Sequence, residues 1–457
     1  MATALQFAGE MTIERPQESA AVRGLARYFF ASFWLVIFTG AIRKWIAPGM
    51  SVLYILQDIP IVMGYGYALW KGLFTRGYML LGILFLSLLL ILQGIAQILI
   101  SGLDLFVAFV GFHNYLLYLP MLVVFPLCLT PTYRKKFVWW NLILSIPMCA
   151  LVVAQAQSPR QSFINQTSEG FAFGVPGAEI ARVSGTFNFV SFYALWVGLA
   201  TALCMGEWLA PKERRAISKT WLLALCTFTV NLSHLISASR AAIALAGMGI
   251  IGALVGAIVT GSQRAMLAIT GILVLVPAAA GATYLISPDE FNIVLERFTG
   301  EHYVTDTKGR ISEALVGFLT EPQFTLVGAG IGMGVDAAHA GSANAYDFTY
   351  TLSETDVVRN VMELGSLVGL TYVVSRVLFI FGMVFLSVRI VRMGSSPHVL
   401  PLSFTLLAQS YTGDWTRGAT MSATQVMIGY SFILGAYFYP DTTSHEQVAG
   451  ELMTRSV

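Results

Sequence analysis

The chain has 457 residues, of which 56% are hydrophobic and 11% are charged, and its formal net charge is +2 at pH 7. Soluble domains carry about 25% charged residues, so the composition excludes a soluble globular protein and indicates an integral membrane protein. The charge balance argues neither for nor against nucleic acid, but no basic tail appears, and we expect no nucleic-acid partner. We interpret the 4 cysteines as packing residues, because all of them lie in apolar segments.

Long apolar segments dominate the chain. A membrane-spanning helix needs about 20 mostly apolar residues, and about twelve segments approach this length. We therefore predict an all-α polytopic membrane protein. The segments are 28–47, 52–70, 77–101, 105–130, 137–156, 187–209, 219–237, 240–260, 265–286, 357–390, 398–412 and 420–438.

The two ends of the chain are polar. The N-terminal stretch lacks the basic segment and apolar core of a cleavable signal, so we expect none. We predict a cytoplasmic tail over 1–27, one transmembrane domain over 28–438 and a second cytoplasmic tail over 439–457.

Basic residues gather at alternate turns, which we assign to the cytoplasm because lysine and arginine prefer that side. Both termini then lie in the cytoplasm. Arg43 and Lys44, after the first span, are the exception to this pattern. The cytoplasmic set is Arg15, Arg23, Arg27, Lys71, Arg76, Arg134, Lys135, Lys136, Lys212, Arg214, Arg215, Lys219, Arg264, Arg389 and Arg392.

Two long polar insertions, near 157–186 and 288–356, fall on the external side. Loops of this length inside a compact domain tend to be functional. The second insertion begins with Pro288 and two acidic residues, which is typical of a helix start. We expect it to carry short amphipathic helices on the outer membrane surface.

Arginines on the external face are the main functional signal. Arg182 lies at the end of the first insertion, Arg240 opens a span, Arg310 lies in the second insertion, and Arg417 precedes the last span. A cation on this side is costly unless it has a partner, and a guanidinium suits phosphate. The alternatives are an interfacial side chain at Arg182, a solvated cation at Arg310, and an ion pair of Arg417 with Asp414.

Acidic residues mark the point where the second insertion enters the tenth span. Glu354, Asp356 and Glu363 flank Arg359. Helix capping explains part of this pattern, and a catalytic base is the other interpretation, with Glu354 or Asp356 in that role. We interpret the glycine-rich run 328–334 as a flexible turn rather than a phosphate loop. Arg376, inside an apolar span, could face the bundle interior.

Four short motifs occur in a fixed order: Arg182-Val-Ser-Gly-Thr-Phe, Ser239-Arg240, Gly309-Arg310, and Glu363-Leu-Gly followed by Gly369. Their order and placement resemble the superfamily of O-antigen ligases and Wzy-type O-antigen polymerases. The resemblance covers roughly residues 180–390.

This resemblance implies a GT-C-like membrane glycosyltransferase of the bacterial inner membrane. Its donor would be an oligosaccharide on undecaprenyl pyrophosphate, its acceptor a glycan hydroxyl, and no metal or other cofactor would be needed. Arg182, Arg240 and Arg310 occupy the positions of the family's pyrophosphate-binding arginines, and we add Arg359 and Arg417 as candidates. Membrane lipid, a chain-length regulator and a flippase are the further partners expected.

The ligase signature is incomplete, because Glu354-Thr355 stands where ligases have a His-Asn pair. We therefore expect a polymerase of surface polysaccharide or exopolysaccharide repeat units. Two alternatives stay open: a ligase that transfers glycan to lipid A-core or to protein, and a transporter or flippase of lipid-linked sugars.

Overall fold

The structure is a computed structural model. It describes residues 19–75, 77–167, 170–171, 174, 181–237, 239–261, 277–286, 288–300, 325–335, 355–413, 415 and 420–441, with short pieces between 305 and 319.

The described chain is a helical bundle with one pair of two-residue antiparallel strands, β1 (Gln166–Thr167) and β2 (Gly170–Phe171). Residues 277–286 are also helical. The helices are α1 (Ala20–Ala41), α2 (Asp58–Lys71), α3 (Tyr78–Ser101), α4 (Leu105–Leu116), α5 (Met121–Val124), α6 (Pro131–Ala156), α7 (Val190–Leu209), α8 (Thr220–Ile236), α9 (Arg240–Thr260), α10 (Pro288–Thr299), α11 (Asp356–Leu364), α12 (Ser366–Arg392), α13 (Val399–Thr412) and α14 (Thr420–Phe438).

Short 3₁₀ and π-helical pieces extend or connect these helices. The π-helical piece Ile42–Ile46 continues α1, and Glu313–Gly317 is the second one. The 3₁₀ pieces are Ser51–Gln57, Phe125–Cys128, Phe163–Asn165 and Lys212–Arg214.

Among the described residues, 7 helices are long and apolar enough to cross a membrane, which fits the predicted class of polytopic helical membrane protein. They are Ala20–Ile46, Tyr78–Ser101, Leu105–Cys128, Pro131–Ala156, Val190–Leu209, Arg240–Thr260 and Ser366–Arg392.

The other predicted spans give shorter or partly described helices. The segments 52–70 and 398–412 each correspond to an α-helix of 14 residues, the first of which extends to Lys71, and 219–237 contains one of 17. Most of 265–286 lies outside the described residues. Helix α10 begins at Pro288, as predicted from the proline and the acidic residues that follow it.

The predicted tenth span, 357–390, is not one helix. It breaks at Gly365, whose φ of 79° suits glycine, into α11 and α12. The two helices fold back on each other, because Val361 lies against Gly369 and Asp356 contacts Arg376. Asp356 is therefore level with a point about ten residues, or roughly 15 Å, along α12.

Helix register shows which ends lie together. Gly198 packs against Leu245, and Ala202 against Gly249, so α7 and α9 run parallel and begin at the same level. Arg240 is consequently level with the first turn of α7. We call this the Lys44 end of the bundle, since α1 also ends there, and the opposite one the Arg392 end.

A continuous apolar core joins most helices, and small residues permit their close approach. A Cβ at Gly252 would lie 2.6 Å from the carbonyl oxygen of Leu400, so α9 and α13 touch through their backbones. The 4 cysteines are buried, as predicted for packing residues.

Candidate functional site

The segment before α7 is held firmly at the Lys44 end. The backbone N–H of Gly185 donates to Oε1 of Gln155 over 2.8 Å, and Nε2 of Gln155 donates back to the Gly185 carbonyl over 3.1 Å. Gly185 has a φ of 55°, and a Cβ there would lie 2.6 Å from Sδ of Met148. On the other side, Gly40 of α1 lets the backbone of Thr186 approach closely. Glycine at these two positions fixes the path of the segment.

Lys44 is buried under this segment. Its side chain is 0% exposed, and Nζ donates to Oγ of Ser184 over 2.6 Å and to the carbonyl oxygen of Gly185 over 3.0 Å. Both partners are neutral, and no carboxylate among the described residues pairs with Lys44. A buried lysine without a counter-charge keeps its proton only at a cost in a low dielectric, so an anion bound here would stabilise its charged form.

Arg43 reaches the same segment through an amide. When the Asn188 amide is oriented to satisfy its neighbours, its oxygen accepts from Nη1 of Arg43 over 2.7 Å and its nitrogen donates to the carbonyl oxygen of Gly40 over 3.2 Å. Arg43 is 3% exposed. Two adjacent cations at the end of α1 therefore contact residues two and six positions after Arg182 in the chain.

Arg182 itself lines a small open cleft, together with Thr167, Ser184, Asn188, Phe189 and Val190. Val190 is the first residue of α7, whose N-terminus has no side-chain cap. Unpaired N–H groups and the helix dipole make such an N-terminus favourable for an anion. The cleft thus combines a guanidinium with a helix N-terminus, and Ser184 and Asn188 connect it to Lys44 and Arg43. We call Arg43, Lys44, Arg182, Ser184 and Asn188, together with the first turn of α7, the Lys44 site.

Arg240 belongs to the same end of the bundle. It is the first residue of α9, where the side chain of Ser239 caps the helix by accepting from the N–H of Ala242. Since α7 and α9 are neighbours that start at one level, Arg240 and the Arg182 cleft are placed on adjacent helix starts. The predicted grouping of Arg182 with Arg240 at one end is therefore compatible with the fold.

A second group of buried cations lies between α11 and α12. Asp356 forms ion pairs with Arg359 and with Nη1 of Arg376, and its Oδ2 accepts from the backbone N–H of Trp415 over 3.1 Å. Nη1 of Arg359 lies 3.1 Å from Oε1 of Glu363. All four charged side chains are at most 3% exposed. We call Asp356, Arg359, Glu363 and Arg376 the Arg376 network.

The glycine-rich run 328–334 packs against this network, which corrects its interpretation as a flexible turn. The N–H of Gly334 donates to Oε1 of Glu363 over 2.8 Å, and the hydroxyl of Tyr115 donates to Oε2 over 2.8 Å. A Cβ at Gly332 would lie 2.4 Å from the Val107 carbonyl oxygen. The glycines are required because the backbone itself touches its neighbours.

Two predicted site residues, Asp356 and Arg359, belong to this network, and their ion pairs do not favour the predicted roles. The network contains two arginines and two carboxylates, so its formal charges balance. Burial by itself would raise the pKa of Asp356, but the nearby guanidinium groups of Arg359 and Arg376 outweigh it and hold the pKa below its usual range. A carboxylate in this state is a weak proton acceptor. Arg359, predicted as a pyrophosphate ligand, is already neutralised by carboxylates of its own chain.

Three predicted site residues, Glu354, Arg310 and Arg417, lie outside the described residues, so their roles remain predictions. The predicted list lacked Lys44 and Arg43, although the sequence contained their signal. These two residues were the exception to the distribution of basic residues, and the structure shows that they point inward against the segment that follows Arg182.

Comparison with known proteins adds no further identification. No protein-family model matches the chain, and no protein of established function is significantly similar to it. Fold and site therefore define the class by themselves: a polytopic α-helical membrane protein with a cation-lined cleft at one end.

Proposed function

We propose that the chain is a membrane glycosyltransferase that polymerises glycan repeat units carried on a lipid pyrophosphate. The observation that carries this proposal is the Lys44 site, in which a lysine without a described counter-charge lies behind a cleft lined by Arg182. A pyrophosphate brings the negative charge that Lys44 lacks, and its lipid tail would extend into the surrounding bilayer. Arg43 and Arg240 add positive charge at the same end.

In this mechanism, the hydroxyl of an acceptor sugar attacks the anomeric carbon of the donor. The bond from that carbon to the pyrophosphate oxygen breaks, and its electron pair leaves with the pyrophosphate. Negative charge builds on the leaving group in the transition state, so preorganised cations accelerate the step as well as bind the donor. Lys44, Arg182 and Arg240 supply this charge, and Arg310 and Arg417 are proposed as further ligands of the pyrophosphate.

The orientation that this proposal requires places the Lys44 end outside the cytoplasmic membrane and both termini in the cytoplasm. The basic residues Lys212, Arg214, Arg389 and Arg392 support this orientation, because they lie near the ends of helices that start at the Lys44 end. Reporter fusions after Ile46 and after Arg392 would test it, since a reporter that is active only outside the cytoplasm should respond only to the first fusion.

The functional test uses a strain that lacks this protein. We expect single repeat units, rather than long chains, on a gel of its surface polysaccharide. Returning Lys44→Met or Arg240→Ala should restore about 10²-fold less polymer than the wild type, which is the usual effect of losing one transition-state contact. The polymer restored by Lys44→Arg and Arg240→Lys shows whether a positive charge alone is sufficient at these positions.

Lys71→Met is the matched control. Lys71 is an exposed lysine at the C-terminal end of α2, and its ammonium group lies over the ring of Trp70. The variant should restore full-length polymer. Wild-type polymer from both Lys44→Met and Arg240→Ala, at confirmed expression, would remove the Lys44 site from the mechanism. Long chains that accumulate on the lipid carrier in the deletion strain would instead favour a ligase.

A transporter of lipid-linked sugars is the second candidate, and one observation favours it. Transporters form substrate sites at broken helices, and the chain breaks between α11 and α12, where it buries the Arg376 network. Purified protein with lipid-linked repeat units separates the two candidates. Chain growth without a second protein supports transfer, whereas movement across a vesicle membrane without growth supports transport.

A further inference from the structure

Helices α1 and α6 lie side by side through a row of aromatic contacts. The ring centroids of Phe30 and Tyr133 are 6.2 Å apart, and those of Trp34 and Trp140 are 4.9 Å apart. These contacts advance in the same direction along both helices, so α1 and α6 run parallel. Since α1 ends at the Lys44 end, both helices begin at the Arg392 end.

A buried layer of rings closes this contact on the core side. The ring of Phe137 lies between those of Phe29 and Phe33, with centroids 5.7 and 5.3 Å away. All three side chains are at most 4% exposed. The contact between the two helices is therefore accessible only from the side that faces away from the core.

The outer layer follows one stripe of α1. Arg27, Phe30, Trp34 and Phe38 recur there at helical spacing. Phe38 is 40% exposed, and its ring stacks on that of Trp34 with 5.7 Å between the centroids. From Arg27 to Phe38 the stripe covers about eleven residues, or roughly 16 Å.

Two cations lie at the Arg392 end of this stripe. Nζ of Lys136 is 5.3 Å from the ring centroid of Phe30, and Arg27 is one helical turn before Phe30. Both side chains are exposed, and neither pairs with a carboxylate of the described residues. Positive charge is thus available beside an open aromatic surface. We call Arg27, Phe30, Trp34, Tyr133, Lys136 and Trp140 the Lys136 groove.

The preference of basic residues for one membrane face does not by itself explain this arrangement. That preference accounts for two adjacent lysines, Lys135 and Lys136, near the start of α6. Lys135 is about 100° away around the helix, and no aromatic ring of the described part of the chain lies under it. Lys136 shares a face with Tyr133 and Trp140, so its charge is directed to the groove.

The chemistry of the groove selects its occupant. Guanidinium and ammonium groups donate to phosphate oxygens, and basic pockets between membrane helices bind the head groups of anionic lipids. The aromatic stripe accommodates an acyl chain. Its length of roughly 16 Å matches half of the hydrocarbon core of a bilayer, which is about 30 Å thick. A free phosphate would leave this apolar surface uncovered.

We propose that the Lys136 groove binds one anionic phospholipid, with its phosphate on Arg27 and Lys136 and one acyl chain along Trp34 and Phe38. This inference is independent of the proposed glycosyl transfer, because the cations of the groove lie at the opposite end of α1 from Lys44. The bound lipid connects α1 to α6 and so supports the helix that carries the Lys44 site.

The test measures lipid binding to the purified full-length protein by native mass spectrometry. Dioleoyl phosphatidylglycerol and dioleoyl phosphatidylcholine have the same acyl chains, and only the first has a net negative charge. Lys136→Gln should lower the affinity for phosphatidylglycerol roughly fivefold, and Arg27→Gln with Lys136→Gln about 30-fold, since each cation at a membrane surface contributes a similar factor. The affinity for phosphatidylcholine should not change.

Lys135→Gln is the matched control, because it removes one positive charge from the same turn of α6 outside the groove. It should bind both lipids as the wild type does. Phe38→Ala keeps both cations and shortens the aromatic stripe, so it should weaken the binding of both lipids equally. Thermal unfolding in detergent without added lipid should be the same for the two lysine variants and the wild type, since both change an exposed side chain.

Three results would overturn the inference. An equal loss of phosphatidylglycerol binding in Lys135→Gln and Lys136→Gln would reduce the effect to general charge attraction. Complete displacement of the lipid by inorganic phosphate would show a phosphate site that does not hold an acyl chain. Weaker phosphatidylglycerol binding in Lys44→Met, with wild-type binding in Lys136→Gln, would place the lipid at the Lys44 site.

Discussion

The Lys44 site and the Arg376 network both bury cations toward the same end of the bundle, but they solve the charge problem differently. Arg359 and Arg376 each touch a carboxylate of the chain, and all four charged side chains are closed off from solvent. Lys44 contacts a hydroxyl, a carbonyl oxygen and the ring of Trp45, all of them neutral. The network is therefore neutral and self-contained, whereas the Lys44 site has charge left for a ligand.

This difference separates structural arginines from functional ones. An ion pair that is satisfied within the chain fixes the packing of α11 against α12. A cation that lacks a counter-charge costs stability, and a protein retains it where a ligand supplies the missing charge. Three substitutions test whether this distinction holds.

The largest loss of stability should follow Asp356→Asn. The substitution leaves two buried guanidinium groups with a single carboxylate, so the free energy of unfolding should fall by about 3–5 kcal/mol. The double variant Asp356→Leu with Arg376→Met removes a balanced pair and should cost less. Thermal unfolding of the purified variants in detergent checks both. The single variants Asp356→Leu and Arg376→Met complete the comparison. If the double variant loses as much free energy of unfolding as these two variants together, Asp356 and Arg376 are not coupled in the way the network implies.

A smaller loss should follow Gly334→Ala, which leaves every charge in place. The added Cβ would lie 2.5 Å from Cδ of Arg359, and overpacking of this kind costs about 2 kcal/mol. Gly247→Ala is the control, because a Cβ at that position in α9 meets nothing within 4 Å. The control should be neutral or more stable by about 0.5–1 kcal/mol, since alanine favours a helix over glycine. Equal melting temperatures for the two variants would contradict the tight packing of the glycine run.

The smallest change in stability should accompany Lys44→Met, and its sign should be opposite. Replacing a buried cation by an apolar side chain of similar length should raise the free energy of unfolding by about 1 kcal/mol. The same variant should lose polymer formation. Thermal unfolding measured beside the polysaccharide gel shows both effects. A marked drop in melting temperature would mean that Lys44 stabilises the fold instead of serving a ligand.

The sequence predicted the class of fold well and the details of some helices poorly. Apolar length depends on composition alone, so segments such as 77–101 and 240–260 appear as spans close to their predicted bounds. The break at Gly365 was missed because an isolated glycine is compatible with a continuous helix and no proline separates α11 from α12. The contacts of Val361 with Gly369 and of Asp356 with Arg376 show that the chain reverses there.

The candidate site was predicted in part for a similar reason. Arg182 and Arg240 stand out in the sequence because they are cations beside apolar spans on an unexpected side. The contact of Lys44 with Ser184 gave no such signal, since the two residues are 140 positions apart and no motif connects them. Whether a polar group in an apolar helix is satisfied depends on neighbours that are distant in the chain.

By itself, the sequence determined that this is a helical membrane protein and where its excess cations lie, because hydropathy and charge are properties of local composition. Only the tertiary structure decided which cations are neutralised and which are not. Arg359 and Lys44 are both cations next to apolar spans. Arg359 contacts two carboxylates, whereas Lys44 contacts none among the described residues. That outcome follows from which helices pack together, since a buried charge is stabilised only by groups within a few ångströms of it.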